Sequence, residues 1–108
     1  MTDDKLKGTV LSLKDLVAYQ DGSTVSREVV KQKTGTVTVF AFDTGQGLSE
    51  HTAPFDAMVH ILDGEAAITV GGEAHAVKTG ESIIMPAGIA HALQAEQRFK
   101  MLLIMIRQ

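Results

Sequence analysis

At 108 residues the chain has the length of one domain, and at that size roughly two thirds of the unfolded surface can be buried around one core. Hydrophobic residues make up 44% and charged residues 21%, a balance that excludes a disordered chain, and a formal charge of −3 without a basic patch excludes the usual nucleic-acid binder. No cysteine is present, so a disulfide framework and a thiolate metal site are both excluded.

The opening, MTDDKLKGTV, lacks the basic start and apolar run of a signal peptide. The longest apolar run, Met101 to Ile106, falls far short of the ~20 residues that span a bilayer. The expectation is a cytoplasmic protein with no membrane or nucleic-acid partner. Residues 1–8 read as a flexible lead. Ser12 to Asp15 has the form of a capping box and predicts one short helical turn, with Leu13, Leu16 and Val17 as an apolar edge. Asp21-Gly22-Ser23 signals a turn. The polar strand Thr24 to Gln32 should lie at a sheet edge or face solvent.

TVTVFAF, Thr36 to Phe42, carries the best strand signal, being β-branched and aromatic. Asp43 to Gly47 reads as a loop. Ala57 to Leu62 is the next strand, and Asp63-Gly64 is expected to turn it into Glu65 to Val70. Gly71-Gly72 is a hairpin signal leading to Glu73 to Val77. Ile83 to Met85 is a short buried strand that Pro86 ends, because proline has no N–H for ladder pairing. Gly88 permits a tight turn, and Ile89 to Leu93 starts another strand in which His91 is the strongly polar side chain. Arg98 to Ile106 closes the chain as a strand apolar on both faces. Such a strand must be covered on both, and a second subunit is the expected outer cover, which predicts a homodimer. About eight strands with short turns and no long helix give an all-β sandwich or barrel in a single domain.

Gly80, Pro86, Gly88 and His91 fall in the spacing G-x5-P-x-G-x2-H. This resembles the second sequence motif of the cupin superfamily, whose histidine is usually a metal ligand inside a small β-barrel. The resemblance implies a double-stranded β-helix, or jelly roll. Its barrel core would span 36–106, behind an N-terminal arm over 1–35. The motif often closes with asparagine, where this chain has Ala95.

The family's first motif is roughly G-x5-H-x-H-x3,4-E-x6-G. Gly45, His51 and Gly64 match it in register, while Ala53 stands at its second histidine and Ala57 at its glutamate. The resemblance therefore carries over His51 and His91 as metal ligands and leaves the other positions empty. Structural zinc takes four protein ligands and catalytic zinc three. A divalent transition metal (zinc, nickel, iron, manganese or copper) would be weakly held, or the site would hold none.

Several side chains are further candidates. Asp56 adjoins the vacated glutamate position, and a bulge after Pro54 would be needed to turn it inward. Glu50, His60 and His75 lie on alternate faces or distant strands, where an exposed or interface role is the plainer reading. Met58, Met85 and Met101 carry thioethers that favour copper(I), or simply fill the core. Phe55 reads as a lid. Alanine at two ligand positions should open an apolar pocket lined by Ala53, Ala57 and Val59, with His51 and His91 as polar handles for a small-molecule ligand. Otherwise His91 is a buried histidine hydrogen-bonded to backbone or water. Three functions remain open: a binding protein without turnover, a metal-dependent oxygenase, isomerase or decarboxylase acting on a small organic acid, and a non-catalytic structural or sensing module, against whose regulator form the lack of a DNA-binding segment counts.

Overall fold

The computed structural model describes residues 4–107, which form eight strands and two single 3-10 turns. The strands are β1 (Thr24–Gln32), β2 (Gly35–Phe42), β3 (Gly47–His51), β4 (Ala57–Val70), β5 (Glu73–Lys78), β6 (Ser82–Met85), β7 (His91–Gln94) and β8 (Phe99–Ile106). All pairings are antiparallel. One sheet runs β1-β2-β8-β4-β6, and the other runs β3-β7-β4-β5. Together they curl into the jelly-roll barrel that the family resemblance implies.

β4 belongs to both sheets. Its first half pairs with β6 and β8, and its second half with β5 and β7. The expected turn at Asp63-Gly64 is instead a bend within this one strand. Gly64 adopts φ +80°, and the register with β8 shifts between Ile61 and Asp63. The local signal was real, but the chain uses it to change sheets rather than to reverse. β3 is the strand that residue pattern did not reveal. GLSEH carries one apolar residue, Leu48, and is mostly exposed.

The core lies between the sheets. Phe42, Val59, Ile61, Phe99 and Met101 from one sheet meet Ala66, Ile68, Val77 and Leu93 from the other. Phe42 and Phe99 are cross-strand partners with stacked rings, 4.7 Å between centroids.

A second apolar cluster covers the outside of β1, β2 and β8. Val29, Val39 and Ala41 pack there under Val17, with Leu11, Leu13, Leu16, Tyr19 and Leu102 against them. The arm is pinned by polar contacts. Tyr19 donates its hydroxyl to Asp63 Oδ2 at 2.5 Å, and Lys100 Nζ donates to the Lys14 carbonyl at 2.6 Å. Burial, reinforced by the Asp63 carboxylate, raises the Tyr19 hydroxyl well above its ordinary pKa. Arg98 bridges Asp43 at 2.7 Å and Asp21 at 2.5 Å, and its guanidinium holds the Asp43 carboxyl below the usual carboxylate range. The predicted helical turn exists as a 3-10 turn at Leu13–Asp15, but the Ser12 side chain makes no capping bond. Of the lead at 1–8, residues 1–3 lie outside the described residues, and Asp4–Leu6 forms a 3-10 turn.

The chain itself thus covers Leu102, part of the face assigned above to a second subunit. Another part begins at Val37, at the margin of the arm's cluster, and runs beyond it. Val30, Val37, Ile104, Met58 and Ile84 are successive cross-strand partners across β1, β2, β8, β4 and β6. They form one apolar row on the outer face, with Val30 and Ile84 exposed at its ends. β1 is the sheet edge, as its polar sequence predicts. Among the described residues, no helix is long and apolar enough to cross a membrane.

Candidate functional site

His51 ends β3 and His91 begins β7, and the two are direct cross-strand partners. The register between these strands shifts between Leu48 and His51, so Ser49 and Glu50 form an irregularity just ahead of the histidine. Such a bulge re-aims the side chain that follows it. Gly47 starts the strand because nothing larger fits: a Cβ there would stand 2.3 Å from the Leu93 carbonyl oxygen.

The two rings meet edge to face with centroids 4.4 Å apart, and their Nε2 atoms are 3.1 Å apart. Each ring is held by the same local device. His51 Nδ1 lies 2.7 Å from the Ser49 carbonyl oxygen, and His91 Nδ1 lies 3.1 Å from that of Ile89. A carbonyl oxygen only accepts, so each Nδ1 carries the proton. In two neutral rings both Nε2 atoms are then lone pairs aimed at the same point. Two lone pairs at that separation repel unless an electrophile lies between them, either a proton or a metal ion. With a metal–nitrogen bond of ~2.0–2.1 Å, this spacing subtends an angle of roughly 95–100° at the metal, a chelating geometry.

His91 is buried, at 3% exposure, whereas His51 is exposed and stands at the rim. Behind them is a cavity of about 50 Å³ between the sheets. Its walls are Leu48, Ala53, Ala57, Leu93 and Leu103, together with the two histidines and Met85, Met101 and Met105. Its non-hydrocarbon groups are therefore imidazoles and thioethers, and no carboxylate lines it. The alanines do not leave a wide chamber, because the methionines occupy the space. Small-molecule pockets usually run to ~300–1,000 Å³, so this cavity suits an ion or a molecule of a few atoms.

The other residues named from sequence lie elsewhere. Val59 is fully buried in the core and does not line the cavity. Asp56 Oδ1 accepts from the Ala87 N–H at 2.9 Å, and its side chain belongs to an outer cleft with Phe55 and Arg107. That contact staples the start of β4 to the turn after β6, so Asp56 supports the site's frame from outside it. His60 Nδ1 lies 2.6 Å from Ser82 Oγ. His75 lies on β5 along a separate cleft with Glu65 and Glu96. Met58 faces outward in the apolar row. Met105 is a cavity residue that the sequence reading did not single out, as are Leu48, Leu93 and Leu103. The signal for Met105 was there, since alternation along β8 puts it on one face with Met101.

Among the described residues, no group of three or more histidine, cysteine, aspartate or glutamate side chains is placed to hold a metal ion. A divalent ion here would draw two imidazoles, from His51 and His91, and no third side chain of these types.

A sequence profile described as the cupin domain matches residues 38–107. An uncharacterized protein of Streptomyces coelicolor is 32% identical over 74 residues, covering 68% of this chain and 69% of that protein. Among solved structures, a conserved protein of unknown function from Streptococcus pyogenes is 42% identical, with a TM-score of 0.89 over 94% of this chain and 89% of its own. A protein from Leptotrichia buccalis described as a cupin 2 conserved barrel domain is 43% identical, with a TM-score of 0.87 over 90% of this chain and 47% of its own.

Proposed function

This chain belongs to the cupin-domain family, and from that footing we propose that it is a binding protein whose ligand, a metal ion or a small anion, is held between His51 and His91. The observation that carries this reading is the pair of converging Nε2 atoms, each ring locked by a backbone carbonyl. A bound metal would accept both lone pairs. A proton shared between the rings would make the pair cationic and attract a small carboxylate. The cavity size favours occupants of this scale over larger organic molecules. The alternative, a metal-dependent enzyme acting on a small organic acid, draws its support from the fold, and one fold hosts many chemistries.

The test is thermal unfolding of metal-stripped protein against a panel of Zn(II), Ni(II), anaerobic Cu(I) and acetate. A ligand that binds only the folded state at a hundred times its Kd should stabilise by ~2.7 kcal/mol, a shift of several degrees or more for a chain of this size. No shift with any probe would overturn the reading.

Homodimerisation belongs to the same proposal. The row Val30-Val37-Ile104-Met58-Ile84 is continuous and apolar, and apart from Val37, which packs against the arm's cluster, it lies outside that cluster; apolar stripes of this kind mark association surfaces. The wild type should elute as a dimer in light-scattering chromatography, and Ile104→Arg as a folded monomer. A wild-type monomer at micromolar concentration would remove the dimer.

A further inference from the structure

We propose that the cavity is a copper(I) site, with His51 and His91 as the nitrogen ligands and methionine thioethers as the remainder. The inference rests on the His51–His91 binding reading above and names the ion.

The register of β4 with its neighbours supplies the argument. Ala57 is the Cα partner of Met85 on one side and of Met105 on the other. Directly opposed residues in a sheet project to the same face. Two thioethers therefore flank a methyl group on the wall facing the histidine pair. Met101, four residues before Met105 on β8, points the same way, and all of these side chains line one cavity. Imidazoles come from the β3-β7 edge and thioethers from the β6-β4-β8 wall.

Ligand chemistry then selects the ion. Thioethers suit copper(I) and are poor ligands for hard ions, while imidazole suits zinc, copper, iron and nickel. Copper is common to both sets when no thiolate is present. Charge points the same way. The lining carries no anionic side chain to neutralise a dication. The Born cost of placing an ion in a poorly polar site grows with the square of its charge, so a monovalent ion costs roughly a quarter as much as a divalent one. A set of two nitrogens and one or more sulfurs around a d10 ion imposes no demanding geometry, which suits donors recruited from two facing sheets.

The test is anaerobic titration of full-length protein with Cu(I) supplied as its bicinchoninate complex, with Zn(II) titrated in parallel. X-ray absorption of the copper-loaded protein reads the ligand atoms. The expected result is one equivalent of Cu(I) taken from the chelator, both nitrogen and sulfur scattering, and far weaker Zn(II) binding. The combined variant Met85→Leu, Met101→Leu, Met105→Leu nearly conserves volume and should stay folded by circular dichroism. It should lose sulfur scattering and bind Cu(I) at least about tenfold more weakly. Wild-type copper affinity in that variant, absence of sulfur scattering, or Zn(II) binding tighter than Cu(I) overturns the proposal. If Cu(I) is refused but acetate or Ni(II) binds and is lost in His91→Ala, the copper assignment falls and the histidine-pair reading stands. If no probe binds, both fall.

Discussion

Replacing His91 with alanine should lower affinity for whichever probe binds by more than about 100-fold, while His60→Ala and His75→Ala should leave it within about twofold. The asymmetry follows from placement. His91 is buried at 3% exposure, holds its Nδ1–H on the Ile89 carbonyl and presents Nε2 to His51 at 3.1 Å. Its loss removes an imidazole for which the cavity holds no substitute, since no carboxylate and no imidazole besides that of His51 lines it. Changing a residue that only hydrogen-bonds a metal ligand already costs ~10–100-fold, and loss of a direct ligand should exceed that. His60 is engaged with Ser82, and His75 lies along an outer cleft, so both are remote from the cavity. Calorimetric titration of the three variants measures the contrast. Equal losses in all three would mean that the histidine pair is not the binding site. Unchanged affinity in His91→Ala would mean that the cavity takes its occupant by other contacts.

The largest stability effect is expected at Gly64, where Gly64→Ala should cost about 2–5 kcal/mol. Two terms make up this figure: ~1–2 kcal/mol for an L residue in left-handed geometry, and ~1–3 kcal/mol for overpacking. Gly64 sits at φ +80°, and a Cβ there would stand 2.3 Å from the Arg98 carbonyl oxygen and 3.1 Å from Phe99 Cα. Both obstacles are backbone or core atoms, so little can move aside. The chain bends here because β4 must leave one sheet and enter the other, and Phe99, its partner across the bend, stacks on Phe42 in the core. At ~4–8 °C per kcal/mol, the melting temperature should fall by at least about 8 °C. Gly72→Ala is the control. Gly72 also has positive φ, at +82°, but an added Cβ would meet no atom within 4 Å, so its cost should be the conformational one alone. Equal melting temperatures for the two variants would show that close approach at the bend contributes nothing.

The most local properties were legible from residues alone. Alternation and β-branching marked β2, the glycine pair marked the hairpin into β5, and Pro86 with Gly88 marked the end of β6 and the turn before His91. The resemblance to cupin motifs then supplied the jelly roll. Gly64 was visible as a breaker, yet a breaker looks the same whether the chain reverses or bends. Only pairing with β8 and β5 decides between the two. β3 escaped because GLSEH lacks apolar alternation, and its strand conformation comes from pairing with β7 rather than from its own preferences.

By itself, the sequence determined the fold class, the two histidines and the lack of carboxylate and imidazole at Ala53 and Ala57. These depend on side-chain chemistry and on spacing along the chain. Tertiary structure alone decided that Nε2 meets Nε2, that Asp56 turns outward to the Ala87 amide, that the arm covers Leu102, and that Met85 and Met105 flank Ala57. Each depends on the register between strands distant in sequence. Register is set by how two sheets close over a shared core, a property that no single segment carries.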